Sequence, residues 1–130
     1  MDGTVYLGHI PIAGAVRFIR QHWDRLDFYF LSNNTSKSPL TYVDKLNSMG
    51  IAAREDLLLS PVTPLVDFLR ERGITRVYPV GNADFQHDLQ GRMPELQLVE
   101  QGAQAVVLAY DTELTYHKLA RSALLLQDSS

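Results

Sequence analysis

The sequence predicts an α/β protein, a parallel sheet with helices on both faces. Two observations point there. Short apolar runs of strand length alternate with longer stretches whose apolar residues recur at helical spacing, and the order strand, loop, helix repeats at least three times within 130 residues. Start and stop signals also fall where that order needs them, with Ser-Pro and Thr-Pro ahead of helical stretches and glycine behind them.

The elements follow in order. Asp2-Gly3-Thr4 reads as a turn at a strand end. Ile12, Ala15, Val16, Ile19 and Trp23 recur at helical spacing after Pro11 and predict the first helix. Leu26 to Leu31, LDFYFL, is short, apolar and aromatic-rich, which predicts a buried strand ending in the polar loop SNNTSKS. Ser38 as N-cap and Pro39 in the first helical position open a second helix, with Tyr42, Val43, Leu46 and Met49 on its apolar face and Gly50 at its end. Leu57 to Ser60 is a second short strand. Thr63-Pro64 opens a third helix with Leu65, Phe68, Leu69 and Arg72 along one side and Gly73 as the stop. Arg76 to Val80 is a third strand ending at Gly81-Asn82, Ala83 to Gln90 a short helix, and Ala105 to Tyr110 a fourth strand. Thr115 caps a last helix with Tyr116, Leu119, Ala120 and Ala123 facing inward.

Composition narrows the function. Apolar residues make up 45% and charged residues 21%, enough apolar side chains for a real core. A net charge of -3, with no basic stripe, argues against a nucleic-acid partner. No cysteine is present, so there is neither a disulfide framework nor a thiolate metal site. The apolar runs are too short for a membrane span, and the acidic, glycine-containing start is unlike a secretory signal. A cytoplasmic enzyme or binding domain is the expectation.

Ligands of parallel sheets bind at the carboxyl ends of strands, where loops open toward helix N-termini. Two loops are candidates. Ser32 and Asn33 follow directly on a strand, and a hydroxyl with successive backbone N–H groups can bind phosphate oxygens. Asp2 at a neighbouring strand end can give a proton to a leaving oxygen, while Gly3 lets the chain turn sharply. Each also reads as an ordinary turn, Ser-Asn-Asn as a solvated loop and Asp-Gly as a turn signal.

The text MDGTVYLG…PIAGAVRFIR…FYFLSNNTSKSP…YVDKLNSMGI resembles the haloacid dehalogenase superfamily, and within it the NagD-like, 4-nitrophenylphosphatase branch with a large α/β cap. The family's first motif, Asp-x-Asp-Gly-Thr/Val, is matched from Asp2 onward, and its second, a hydrophobic strand ending in Thr/Ser-Asn, by Ser32-Asn33. The likeness continues through LLLSPVTPLVDFLRERG, VYPVGNADFQHDL and AVVLAYDTELTYHKLARSALLL, and so covers essentially the whole chain.

The resemblance implies a partial Rossmann-like core over residues 1–73 and the first part of an α/β cap over 74–130. It implies a Mg²⁺-dependent phosphomonoester hydrolase that works through an aspartyl-phosphate. Asp2 would be the general acid/base and would offer its backbone carbonyl to Mg²⁺. Ser32 and the Asn33 N–H would bind the phosphoryl group, and Gly3 and Thr4 would shape the turn. The family's nucleophilic aspartate sits two residues before Asp2, one place ahead of Met1. Its lysine motif and its Gly-Asp motif are not found before Ser130. The expectation is therefore an N-terminal segment of a phosphatase for small-molecule phosphate esters, inactive by itself. LDFYFL, left with an unpaired edge, is expected to let copies associate.

Other polar residues take plain readings. His9, His22, His87 and His117 lack ligand spacing and are expected in solvent. Gly81-Asn82 is a turn, Asp111 to Glu113 a loop ahead of a capped helix, and Lys37 and Lys45 solvated cations. Tyr6 and Leu7 are expected to pack under the cap hinge. Two other functions stay open: a non-catalytic phosphate-binding or regulatory module, and a flavodoxin-like domain that binds a nucleotide or a protein.

Overall fold

The computed structural model describes residues 1–127. Its elements are β1 (Tyr6–Leu7), β2 (Ile10–Pro11), α1 (Ala13–His22), β3 (Phe30–Leu31), α2 (Pro39–Ser48), β4 (Leu58–Leu59), α3 (Val62–Glu71), β5 (Arg76–Val80), α4 (Ala83–Arg92), β6 (Gln97–Leu98), β7 (Ala105–Leu108) and α5 (Tyr116–Gln127). They group into two packing units. One comprises Met1–Asn33 with Pro39–Ser60, the other Asn34–Ser38 with Pro61–Ser130, the last three residues lying outside the described part.

In the first unit β1 and β2 form a small antiparallel hairpin, and β3 runs parallel to β4 with Phe30 opposite Leu58. Val16 and Ile19, one turn apart on α1, meet Phe30, Leu46, Ile51 and Tyr6 in the core. Trp23 lies parallel to Phe28 with ring centres 5.7 Å apart. Pro39 opens α2 as expected. Gly50, at φ +77°, ends it: its N–H donates to Asn47 O while Ile51 N–H reaches back to Leu46 O. Those two bonds satisfy carbonyls that the helix end would otherwise leave open.

The second unit is a parallel three-stranded sheet in the order β6-β5-β7. Val77 and Val80 of the central strand are fully buried, and Val62, Val66 and Leu69 of α3 pack with Phe85, Leu89 and Met93 around Val77 and Val107. Helix α3 belongs to this unit and buries its apolar side here.

Parallel pairing and helical cover thus match the predicted class, and several details differ. LDFYFL contributes only Phe30–Leu31 to a strand, because its ladder partner Leu58–Leu59 is itself two residues long. Tyr29 and Leu31 are exposed. Helix α3 starts at Val62 rather than Thr63, and Phe68 turns outward beneath the Arg72 guanidinium, 5.2 Å from its ring centre. The expected inward face of α5 is not seen: Tyr116 and Leu119 are exposed, and no residue of the helix is fully buried. Strand β6, unpredicted, is two residues without an apolar alternation to reveal it.

Candidate active site

The N-terminal turn is tied by its own backbone. Val5 N–H donates to Met1 O at 2.9 Å, and Gly3 N–H to Tyr6 O at 2.7 Å. Gly3 has φ +76°, a conformation that a side chain would strain. This turn holds Asp2 in an isolated parallel bridge to Tyr6, with its side chain exposed. The Asp2 carboxylate accepts a hydrogen bond from Gly8 N–H at 3.1 Å. Thr4 is exposed at the outside of the turn.

Ser32 stands one residue beyond β3, at the carboxyl end of a parallel strand. Its N–H donates to Leu59 O at 3.0 Å, which continues the β3–β4 ladder and fixes the backbone there. Ser32 is buried and Asn33 is exposed. Asn34 then closes a turn by accepting from Ser36 N–H at 2.8 Å. A strand end, a turn and a helix start at Pro39 follow in the order that phosphate-binding loops use.

Beside the N-terminal turn, Lys45 is not a freely solvated cation. Its Nζ lies 3.6 Å from the centre of the Tyr6 ring, and Tyr6 is almost fully buried. An ammonium over an aromatic face is attracted by the ring's negative quadrupole. Burial, helped by the negative fields of Tyr42 and Asp2, pushes the Tyr6 hydroxyl above its usual pKa.

Among the described residues no three His, Asp or Glu side chains come together to hold a metal ion. Magnesium is commonly held by one or two carboxylates together with waters and substrate oxygens, and Asp2 is the exposed carboxylate of this turn. Of the histidines, His22 stacks on Phe18 and its Nδ1 lies 2.9 Å from Phe18 O.

In the second unit, Gly81-Asn82 and Asp111–Glu113 are more than loose turns. Asn82 caps α4 by accepting from Phe85 N–H. Lys118 Nζ donates to Asp111 Oδ2, Gly81 O and Glu113 O at 2.7, 3.1 and 3.2 Å. All three ammonium hydrogens have acceptors, so this lysine holds loops together rather than a ligand. Thr115 caps α5 as expected, accepting from Lys118 N–H. An asparagine ahead of a helical stretch with Asp84 in its first turn was a readable capping signal for Asn82. The Lys45–Tyr6 approach left none.

Four resemblances to known proteins bear on this arrangement. Residues 1–92 match the family described as haloacid dehalogenase-like hydrolase. An acid sugar phosphatase of Staphylococcus saprophyticus is 31% identical over 127 residues, a match that takes in 95% of this chain and 48% of that protein. The crystal structure of a 4-nitrophenylphosphatase from Thermotoga maritima superposes with a TM-score of 0.87 at 27% identity, over 98% of this chain and 49% of that one. A glycerol phosphate phosphatase of Mycobacterium tuberculosis, in complex with magnesium, superposes with a TM-score of 0.86 at 25% identity, over all of this chain and 40% of that one. The chain spans about half the length of the curated relatives it matches. No described helix is long and apolar enough to cross a membrane.

Proposed function

The chain belongs to the haloacid dehalogenase-like hydrolases, and on that premise we propose that the full-length protein is a phosphomonoester hydrolase whose general acid/base and phosphate-binding loop lie within these residues. The observation that supports it most is buried Ser32 at the carboxyl end of parallel strand β3, followed at once by a turn and a helix start. The division proposed is a core over 1–73 and the first part of a cap over 74–130.

In this reading the Asp2 carboxyl gives its proton to the oxygen leaving phosphorus. As a carboxylate it then takes a proton from the water that attacks the phospho-enzyme. Ser32 Oγ–H and Asn33 N–H donate to the phosphoryl oxygens as charge shifts onto them. Gly3 and Thr4 shape the turn that aims Asp2. The nucleophile is proposed to be an aspartate two residues ahead of Asp2, which splits one displacement into two easier ones. Magnesium, bound in the mycobacterial relative, is the proposed cation, and it would neutralise phosphate charge with the Asp2 carbonyl as one donor. The substrate is a small phosphate ester and the protein cytoplasmic.

For these 130 residues taken alone, no turnover of phosphate esters is the proposed behaviour, since the proposed nucleophile is not among them. Self-association of this stretch is proposed from the exposed Tyr29 and Leu31 beside a strand paired on one side. A concentration-independent monomer in sedimentation would refute that point.

The test of function is phosphate release by the full-length protein from a panel of sugar, glycerol and aryl phosphates, with and without Mg²⁺. Release that requires the metal is expected. No release from any ester would overturn the reading.

A further inference from the structure

The turn that carries Asp2 is anchored through one side chain. Gly3 N–H donates to Tyr6 O at 2.7 Å, and Asp2 is bridged to Tyr6. Those bonds set Asp2 relative to Tyr6, so whatever places Tyr6 also places the carboxyl. Tyr6 is 2% exposed and lies in the same core cluster as Val16, Ile19, Phe30 and Leu46. One face of its ring meets Lys45 of α2, whose Nζ lies 3.6 Å from the ring centre. Lys45 is half-buried. It follows Tyr42 by three positions on the helix, and Tyr42 acts on the Tyr6 hydroxyl, so both stand on the side of α2 turned to this ring. All of these residues belong to the first unit. An ammonium drawn partly out of water needs a partner, and the negative face of the ring supplies one. The same attraction holds the ring, and with it the backbone to which the turn is tied.

We propose that Lys45 is a positioning residue for Asp2. Its ammonium holds Tyr6, and Tyr6 holds the turn from which the Asp2 carboxyl meets the leaving oxygen. Lys45 does not itself touch substrate in this role. A general acid works only within hydrogen-bond reach of the atom it protonates. A displacement of about an ångström at a reacting group is felt steeply in the rate. The inference rests on the phosphatase reading above.

The test uses the full-length protein with Mg²⁺ and two esters that differ in their need for a proton. One is whichever of glycerol phosphate and a sugar phosphate the wild type hydrolyses, since an alkoxide leaves poorly unprotonated. The other is 4-nitrophenyl phosphate, whose phenolate leaves with little help. Lys45→Met keeps a long side chain and loses the charge. It is expected to lower kcat on the alkyl ester about tenfold, the scale of one partly buried contact between a cation and a ring. KM should stay within about twofold, because a positioning loss falls on the transition state. The loss on 4-nitrophenyl phosphate should stay below about threefold, because that ester asks little of the acid. Lys45→Arg, which also stacks a cation on an aromatic face, should restore most of the lost rate. In an Asp2→Asn background Lys45→Met should cost no more than about twofold, because the group it positions is gone. Wild-type kcat on both esters, equal losses on the two, or an arginine variant no better than the methionine variant overturns the proposal. Asp2→Asn at wild-type rates on both esters overturns the acid/base reading itself, an outcome visible without any Lys45 variant.

Discussion

Lys118 and Asp111 form an ion pair 2.7 Å long in which the carboxylate side chain is 2% exposed and the ammonium side chain 19%. The asymmetry decides what each substitution does. Asp111 has its two oxygens on Lys118 Nζ and Glu113 N–H, so removing the lysine strands a buried charge. Lys118→Met is expected to destabilise the second unit by about 3 kcal/mol, the range for breaking a buried pair from one side. Asp111→Asn should cost less, since Lys118 keeps two carbonyls and some access to water. Denaturant unfolding of both variants checks the order, and a larger loss for Asp111→Asn would contradict it.

Gly81 is required by a ring rather than by a ligand. A Cβ there would stand 2.3 Å from Phe85 Cδ1, and Phe85 is anchored in the core by Leu89, Val77 and Val107. Gly81→Ala should therefore lower stability by about 1–3 kcal/mol, as overpacking does. The loss should be smaller in a Phe85→Leu background, because the two positions share one space. Strict additivity would count against the packing explanation.

Two buried tyrosines predict the alkaline limit of stability. Burial, with Tyr42 and Asp2 adding, raises the pKa of Tyr6; burial, with Glu100 adding and Arg121 and Lys118 opposing, raises that of Tyr78. A pKa raised on folding contributes stability that is complete below the unfolded value, about 10 for tyrosine, and that is lost as pH rises through the folded value. The denaturation midpoint should fall above about pH 10. It should fall less in a Tyr6→Phe/Tyr78→Phe double variant. Identical pH profiles for wild type and double variant would exclude this cause.

What could be read in advance follows from where the physics is local. Strand β5 was legible residue for residue because Val77, Tyr78, Pro79 and Val80 are all buried, so the apolar run and the strand coincide. Helix ends at Gly50 and Gly73 were legible because a left-handed φ after a helix selects glycine within a few residues. LDFYFL was overextended because strand length depends on the partner, and Leu58–Leu59 offers two residues. The inward face assigned to α5 failed for a related reason: spacing names a face but not what covers it. Within the candidate site, Ser32 and Asp2 were proposed from their places at strand ends and from the family resemblance. The hydrogen bond from Asn82 to Ser36, within the second unit, spans 46 positions and left only the capping signal in the sequence.

The role proposed for Asp2, general acid/base, is open to a direct test through leaving-group dependence. An aryl phosphate with a nitrophenolate leaving group needs little protonation, whereas an alkyl phosphate such as a sugar or glycerol phosphate needs a proton on its departing oxygen. The measurement is kcat/KM of full-length Asp2→Asn against wild type on both esters. A loss of about 10²–10⁴ is expected on the alkyl ester, the range for a lost general acid, with a clearly smaller loss on 4-nitrophenyl phosphate. Wild-type rates on both esters, or equal losses on the two, would contradict it.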